Sequence, residues 1–334
     1  MTMTTGGVSP PAGGESILSL RAISKSYGNV IAARDISMEI PRGSIYGFLG
    51  PNGAGKTTII RSIMNIILPD SGEVLYAGRI ITSEVRDRIG YLPEERGLYR
   101  KMKIIDQLTY LAQLKSVPRR TARARAGEWL ERLGLADWRL RKVDELSKGM
   151  QQKLQFAATF IFEPDLVILD EPFSGLDPLN IELLREIILA ERQRGITVIF
   201  STHMLAEAEK ICDAICLIDG GRKILDGTLA EVRRDFPLQA IQVAYADGSE
   251  PPAELPQVAH RKFEEGAWRL TLAAGVDPKS LLPQLVTAGP VTYFSANRPS
   301  LSDIFLAAVR RQRGQEPAAG SAERAVAGQQ EGAV

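Results

Sequence analysis

The apolar run IYGFL at Ile45 to Leu49 leads straight into GPNGAGKT at Gly50 to Thr57, and this junction restricts the fold more tightly than any other part of the chain. A near-continuous apolar run of this length suits a strand buried on both faces. Beyond it, Ile59, Ile63 and Ile66 or Ile67 form one apolar stripe, which predicts a helix from Gly55 to Leu68 stopped by Pro69 and the DSG turn. Strand, Gly-rich loop and helix in that order make a phosphate cradle. Glycines let successive amides face phosphate oxygens, and the helix N-terminus adds the positive end of its dipole. Lys56 is placed for the β- and γ-phosphates and the Thr57 hydroxyl for Mg²⁺, with Gly50, Asn52, Gly53, Gly55 and Thr58 completing the nucleotide-binding loop.

A second junction follows at LVILDEP, Leu166 to Pro172, where an apolar strand ends in adjacent carboxylates. Strand alternation sends the two in different directions. Asp170 is placed to reach Mg²⁺ through water, and Glu171 to orient or deprotonate a water attacking the γ-phosphate. After Pro164 the pattern runs LVILD, a helix near 179–193, ITVIF, a helix near 204–212, AICLI and a GG turn into RKIL. Strands alternating with helices in this way predict a parallel sheet covered on both faces. Earlier, ILSLRAI and ISMEI read as strands, and residues 104–162 read as helices interrupted at Pro118 and Gly134, with Met150, Leu154, Ala157 and Ile161 on one stripe.

A composition shift near Phe236 opens a different piece: IQVAY, AWRLTL, a helix near 278–287, VTYF, and a helix from Ser300, where Ser300 and Asp303 suit a capping box. The expected organisation is a disordered leader at 1–15, a nucleotide-binding domain at 16–235 with a helical subdomain at about 100–163, a small α+β domain at 236–312 and a disordered tail at 313–334.

Charge narrows the function classes. With 41 Lys and Arg against 40 Asp and Glu, the net charge is +1, so no whole-molecule field draws the chain to nucleic acid, and no nucleic-acid partner is expected. No run of about 18 apolar residues occurs, and the N-terminus has neither the basic start nor the apolar run of a secretion signal. Cys212 and Cys216 are too few for a disulfide framework and read as small buried hydrophobes. Arg119, Arg120, Arg123 and Arg125, with RLRK at 139–142, read as a solvated helix face; contact with anionic headgroups or a membrane partner is the alternative.

With these junctions, LSKGMQQK at Leu146 to Lys153, SGLD at Ser174 to Asp177, STH at Ser201 to His203 and the aromatic Tyr27 fall in a fixed order. In this order they resemble the ATP-binding-cassette (ABC) ATPases, specifically the nucleotide-binding subunits of bacterial export-type transporters with a short extra C-terminal domain. The resemblance spans about residues 17–311. It implies a P-loop ABC ATPase α/β fold: a parallel core sheet, an antiparallel β subdomain, a helical subdomain and a small C-terminal α+β domain. It also implies Tyr27 stacked on adenine, His203 on the γ-phosphate, Ser147 and Gly149 reaching the nucleotide of a second subunit, and Asp177 coupling the two sites. The implied cofactors are ATP and Mg²⁺. The implied partners are a membrane-spanning permease and a second copy or a related ATPase subunit, with the chain peripheral on the cytoplasmic face of the membrane. The competing reading is a soluble ABC ATPase acting in translation or nucleic-acid maintenance.

Two departures from the family pattern bear on the site. Glu94, in YLPEERGLY, stands where most relatives have Gln; its oxygen suits Mg²⁺, but an ionised carboxylate adds negative charge and donates no hydrogen bond. Lys148 and Met150 replace Gly and Gln of the commoner signature, while Ser147 and Gly149 are retained.

Overall fold

A computed structural model describes residues 15–312 apart from positions 87, 96, 237–239, 265, 274–275 and 297–298. The expected tail, and all of the expected leader but Glu15, lie outside the described residues. The chain divides between Leu229 and Ala230 into two compact units.

The first unit opens with two long antiparallel strands, β1 (Ser16–Tyr27) and β2 (Val30–Pro41). Strand β3 (Ile45–Leu49), buried at every position, feeds the Gly-rich loop and α1 (Lys56–Ile63). This helix is shorter than the apolar stripe predicts. Asn65 takes a left-handed φ of 50°, and Ile66 and Leu68 are 56% and 70% exposed, so no packing holds a further turn. Next come β4 (Ser71–Tyr76), β5 (Arg79–Ile80), α2 (Ser83–Arg86) and β6 (Ile89–Leu92). The sequence reading assigns no elements here, because runs of two to six residues are too short to show a period.

The expected helical subdomain consists of α3 (Ile104–Leu114), α4 (Arg119–Arg132) and α5 (Lys148–Phe160). Trp129 of α4 packs on Phe160 of α5 with ring centroids 5.6 Å apart, and Phe156 lies 4.8 Å from Phe160. The alternating portion follows as β7 (Leu166–Asp170), α6 (Pro178–Gln193), β8 (Thr197–Thr202), α7 (Leu205–Ile211), β9 (Ala214–Asp219) and β10 (Arg222–Thr228).

Two sheets result. One is antiparallel in the order β2-β1-β4-β5; the other runs β10-β9-β3-β8-β7-β6, parallel from β6 through β9 with β10 returning antiparallel. A single core joins Leu20 and Ile36 of the antiparallel sheet to Ile59 and Ile63 of α1 and to Phe48, Ile168 and Ile199 of the parallel sheet. Register then places the site: Leu49 pairs with Thr202, and Asp170 with Ser201. The C-terminal ends of β3, β8 and β7 therefore lie side by side at one edge, where open parallel sheets bind ligands.

Helix α8 (Leu229–Arg234) begins at the division. The second unit forms a four-stranded antiparallel sheet, β12-β13-β11-β14, from β11 (Ala240–Tyr245), β12 (Val258–Glu264), β13 (Ala267–Leu272) and β14 (Val291–Ser295), with α9 (Leu282–Ala288) between β13 and β14 in the chain. Ile241, Val243, Leu270, Leu281 and Leu285 form its core. The helix expected near 278–287 divides into a 3₁₀ turn at Pro278–Leu281 and α9. Strand β12 is not foreseen, because as an edge strand it is largely exposed and shows no alternation. At α10 (Leu301–Gln312) the expected capping box forms: the Asp303 N–H donates to Ser300 Oγ at 3.2 Å, and the Ser300 N–H to the Asp303 carboxylate at 3.2 Å.

Phe160 is 1% exposed at the centre of the aromatic cluster. Phe160→Ala is expected to cost about 3–5 kcal/mol, the range for a large aromatic removed from a core that cannot fully collapse. Urea unfolding followed by circular dichroism measures it.

Candidate nucleotide site

At the end of β3 the chain leaves the sheet through Gly50, whose φ is 153°. A Cβ there would lie 2.1 Å from the Ile218 carbonyl oxygen, and one at Gly55, φ 107°, would lie 2.0 Å from the Ala32 carbonyl oxygen. Only glycine fits either place, because both the dihedral and the space exclude a side chain. Lys56 opens α1 and is 6% exposed; its Nζ donates to the Gly50 carbonyl at 2.8 Å and the Pro51 carbonyl at 3.1 Å. The ammonium thus lies folded over the loop. Burial pushes its pKa down, against the carboxylates of Glu171, Asp170 and Glu94, which act in the opposite direction. Asn52 and Gly53 are exposed, and Thr57 and Thr58 are half-buried behind them. At the helix start Gly55 supplies no side-chain cap, so the first-turn amides keep their donors for a ligand.

The two carboxylates at the end of β7 face different partners. Asp170 is 1% exposed; Oδ1 accepts a hydrogen bond from the Ser201 hydroxyl, and Oδ2 is buried with no hydrogen-bond partner. Glu171 adopts a left-handed φ of 50°, a conformation that a glutamate holds only when its surroundings over-determine it. Its N–H donates to the Ser201 carbonyl at 3.1 Å. Its Oε1 lies 3.0 Å from His203 Nδ1 and 3.9 Å from Lys56 Nζ, and its Oε2 accepts from the Thr202 hydroxyl at 3.4 Å. Lys56, Asp170, Glu171, Ser201, Thr202 and His203 therefore form one cluster.

The orphaned Asp170 Oδ2 provides a test of fit for a divalent cation. A buried anionic oxygen without a donor is costly, and a cation or its water removes that cost. Among the described residues no group of three or more His, Cys, Asp or Glu side chains could hold an ion. A cation here must be completed by hydroxyl, water and phosphate oxygens, which is the shell Mg²⁺ takes beside a nucleotide. The residues present fit that group.

Other residues singled out in the sequence stand apart. Glu94 is exposed on the loop after β6, and that loop is tethered by Gln155 Nε2 donating to the Glu95 carbonyl at 3.2 Å. Ser147 caps α5, its Oγ accepting the Met150 N–H at 3.2 Å, and Gly149 follows in the first turn. Tyr27, 47% exposed, ends β1, with Lys25 Nζ 5.7 Å from its ring centroid. Asp177 caps α6, accepting from the Asn180 N–H at 3.0 Å and the Asn180 side-chain amide at 2.6 Å, bonds that hold its carboxyl below the usual range. Among the described residues no hydrogen bond or ion pair joins Ser147, Gly149, Asp177 or Tyr27 to the cluster at Lys56.

The chain resembles known proteins over both units. Residues 33–174 match the ABC transporter family, and residues 227–309 match the family of ATP-binding protein DrrA1-3-like C-terminal domains. An uncharacterized ABC transporter ATP-binding protein, YhaQ of Bacillus subtilis (strain 168), is 37% identical over 87% of this chain and 97% of its own length. The Nod factor export ATP-binding protein I of Burkholderia orbicola (strain AU 1054) is 31% identical over 88% of this chain and 97% of its own length. Among solved structures, an ATP binding subunit of an ABC transporter superposes with a TM-score of 0.62 at 32% identity, covering 66% of this chain and 93% of that one.

Two residues of the cluster escape the sequence reading. Ser201 and Thr202 read there only as the approach to a histidine, yet their hydroxyls hold Asp170 and Glu171. The available signal is position: polar residues ending a fully buried parallel strand need partners, and the neighbouring strand ends in acids. Ser201→Ala is expected to leave Asp170 Oδ1 without its donor and to lower stability by about 1–3 kcal/mol, the cost of an unsatisfied buried group. Urea unfolding without nucleotide measures the loss, and Ser201→Thr, which keeps the hydroxyl, is expected to recover part of it.

Proposed function

Because the chain belongs to the ATP-binding proteins of ABC transporters, we propose that it dimerises around two ATP, hydrolyses them with Mg²⁺ and so drives export through a separate membrane-spanning subunit. The observation that carries the catalytic part is the arrangement of Glu171. Its carboxylate is buried, held by Thr202 and His203, and lies 3.9 Å from the lysine of the phosphate loop. A base fixed next to a phosphate cradle is what hydrolysis of a terminal phosphate requires.

In this reading the amides of Gly50, Asn52, Gly53, Gly55 and Thr58 line the phosphates. Lys56 turns its ammonium from the Gly50 and Pro51 carbonyls to the β- and γ-phosphate oxygens. The Thr57 hydroxyl would hold Mg²⁺ directly and Asp170 Oδ2 would hold it through water, and the ion would supply positive charge to the phosphate oxygens. Glu171 Oε takes a proton from the attacking water. His203, hydrogen-bonded to Glu171, fixes that carboxylate and faces the γ-phosphate. Tyr27, exposed at the end of its strand, offers a ring face to adenine. Glu94, exposed on the loop after β6, would bring a further oxygen toward the metal when nucleotide is bound.

The two-subunit part rests on Ser147 and Gly149. Both belong to the signature segment, Ser147 is exposed, and neither has a hydrogen bond to Lys56, Asp170 or Glu171 among the described residues. They serve the phosphate of a second subunit's site, and Asp177 couples the two. The export part rests on similarity along most of both chains to a relative named for Nod factor export, and on the DrrA1-3-like second unit. Among the described residues no helix is long and apolar enough to cross a membrane, and the proposal assigns that part to another chain. The chain then works on the cytoplasmic face of the membrane.

Glu171→Gln tests the base. The amide keeps the shape and loses the basic oxygen, so turnover is expected to fall at least about 100-fold while ATP binding persists and nucleotide-bound dimers accumulate. Phosphate release and sedimentation with ATP measure the two effects, and turnover within about threefold of the parent would overturn the assignment. Glu94 is tested by Mg²⁺ titration of the ATPase rate. Glu94→Gln keeps an oxygen and is expected to retain activity, whereas Glu94→Ala is expected to need more Mg²⁺; a titration of the Ala variant that overlays the parent's removes Glu94 from the site.

A further inference from the structure

The helical subdomain gathers positive charge in a place that the basic run on α4 does not show. In α4, Arg123 is paired with Asp106 at 3.1 Å, and Arg125 with Glu163. A further group of cations forms where two sequence-distant segments meet. The Ile104 N–H donates to the Arg141 carbonyl at 3.0 Å, the Ile105 N–H to Arg139 at 3.2 Å, the Val143 N–H to Met102 at 3.1 Å and the Asp144 N–H to Arg100 at 3.1 Å. These bonds align the segment before α3 antiparallel to the segment before the signature, with Lys103 bridged directly opposite Lys142. Arg100, Lys101, Lys103, Arg139, Arg141 and Lys142 are thereby brought together, and all are exposed.

Acids offset only part of this charge. Asp144 takes Lys101 at 2.9 Å, and Glu145 takes Arg141 at 3.2 Å. Arg100, Lys103, Arg139 and Lys142 form no ion pair among the described residues, although Lys142 stands near enough to Asp144 to help Lys101 hold that carboxyl below its usual range, and the remaining acid of the segment, Asp137, pairs with none of them. Like charges directly opposite across a bridge destabilise the fold that holds them, and in a chain of net charge +1 this concentration is local. Exposed apolar side chains stand among the cations: Trp138 is 38% exposed and Leu140 60%, each next in sequence to Arg139. Tyr99, 51% exposed, precedes Arg100.

We propose that this patch is a docking surface for an anionic lipid membrane, with the four unpaired cations on the headgroups and Trp138 and Leu140 at the headgroup boundary. Unpaired Lys and Arg alone suit any acidic partner. An indole and a leucine interleaved with them favour the lipid interface, where an amphipathic ring rests at headgroup depth and long basic side chains snorkel to phosphate. The inference extends the reading of the chain as a transporter subunit by giving it a membrane contact of its own.

The test uses the full chain without nucleotide or membrane subunit, sedimented with vesicles of phosphatidylcholine alone or with about one third phosphatidylglycerol. Binding is expected only to the anionic vesicles and is expected to be lost near about 0.5 M salt, where the screening length falls to a few ångströms. Each cation near such a surface strengthens association about fivefold, so Arg100→Gln, Lys103→Gln, Arg139→Gln and Lys142→Gln combined are expected to lower partitioning at least about 100-fold. Their solution ATPase rate, measured alongside, is expected to match the parent's, which confirms that the variant folds and separates this inference from the hydrolytic one. A control carrying Arg79→Gln, Arg222→Gln, Arg261→Gln and Arg310→Gln removes the same charge elsewhere and is expected to keep binding. Equal losses in the two quadruple variants would reduce the effect to net charge and overturn the proposal. So would failure of the parent to bind anionic vesicles, which would turn the patch over to an acidic protein segment.

Discussion

The first unit is organised around a charge imbalance that it cannot remove by itself. At the edge of the parallel sheet, Asp170 and Glu171 are buried beside a single buried lysine, and one oxygen of Asp170 has no hydrogen-bond partner. At an effective dielectric of about 20, opposite charges roughly 4 Å apart attract by on the order of 4 kcal/mol, so Lys56 substantially offsets one carboxylate and leaves the other exposed to repulsion. The surrounding hydroxyls of Ser201 and Thr202 reduce that cost without supplying charge. A cation and a polyphosphate enter such a place together with least disturbance: the metal meets the orphaned oxygen, and the phosphates meet the lysine and the loop amides. The positive φ of Glu171 is held by the same surroundings, its N–H donating to the Ser201 carbonyl and its carboxylate held by Thr202 and His203.

The helical subdomain is coupled to this cluster by short polar links from one helix. Helix α5 is capped by Ser147, the signature residue, and a little further along its Gln152 Nε2 donates to the Pro172 carbonyl at 3.3 Å, one residue beyond Glu171. Gln155, one turn later, holds the Glu95 carbonyl next to Glu94. The signature helix is thereby hydrogen-bonded to the loops that follow both acids. On the other side, Glu191 of α6, 1% exposed, accepts from Arg132 of α4 at 2.7 Å and from Arg194 at 3.2 Å, which fixes the subdomain on the core through a buried charge that needs both partners.

The chemistry of the site was legible because it depends on residue order along strand, loop and helix. Gly50 and Gly55 must be glycine, Lys56 must follow the loop, and Asp170 and Glu171 must end a buried strand, so each leaves a local signature. The α/β pattern after Pro164 was equally legible, since buried parallel strands are near-continuous apolar runs. Strands β4, β5 and β6 and the edge strand β12 were not, because short or two-sidedly exposed segments carry no period. The overlong reading of α1 has a related cause. Apolar residues continue to Leu68, and only the lack of a neighbour to cover Ile66 and Leu68 ends the helix at Ile63.

The sequence by itself determined the phosphate loop, the paired acids, the family resemblance and the identity of most groups in the cluster, because these follow from covalent order and local backbone geometry. Tertiary structure alone decided which groups meet. The pairing of Asp170 with Ser201, and of Leu49 with Thr202, comes from strand register, which aligns segments more than thirty and more than one hundred and fifty residues apart, respectively. The same holds for the cation patch, where Lys103 meets Lys142 through a bridge between two loops. Contacts of this kind are set by how whole elements bury their apolar faces, and side-chain order within one segment carries no record of them.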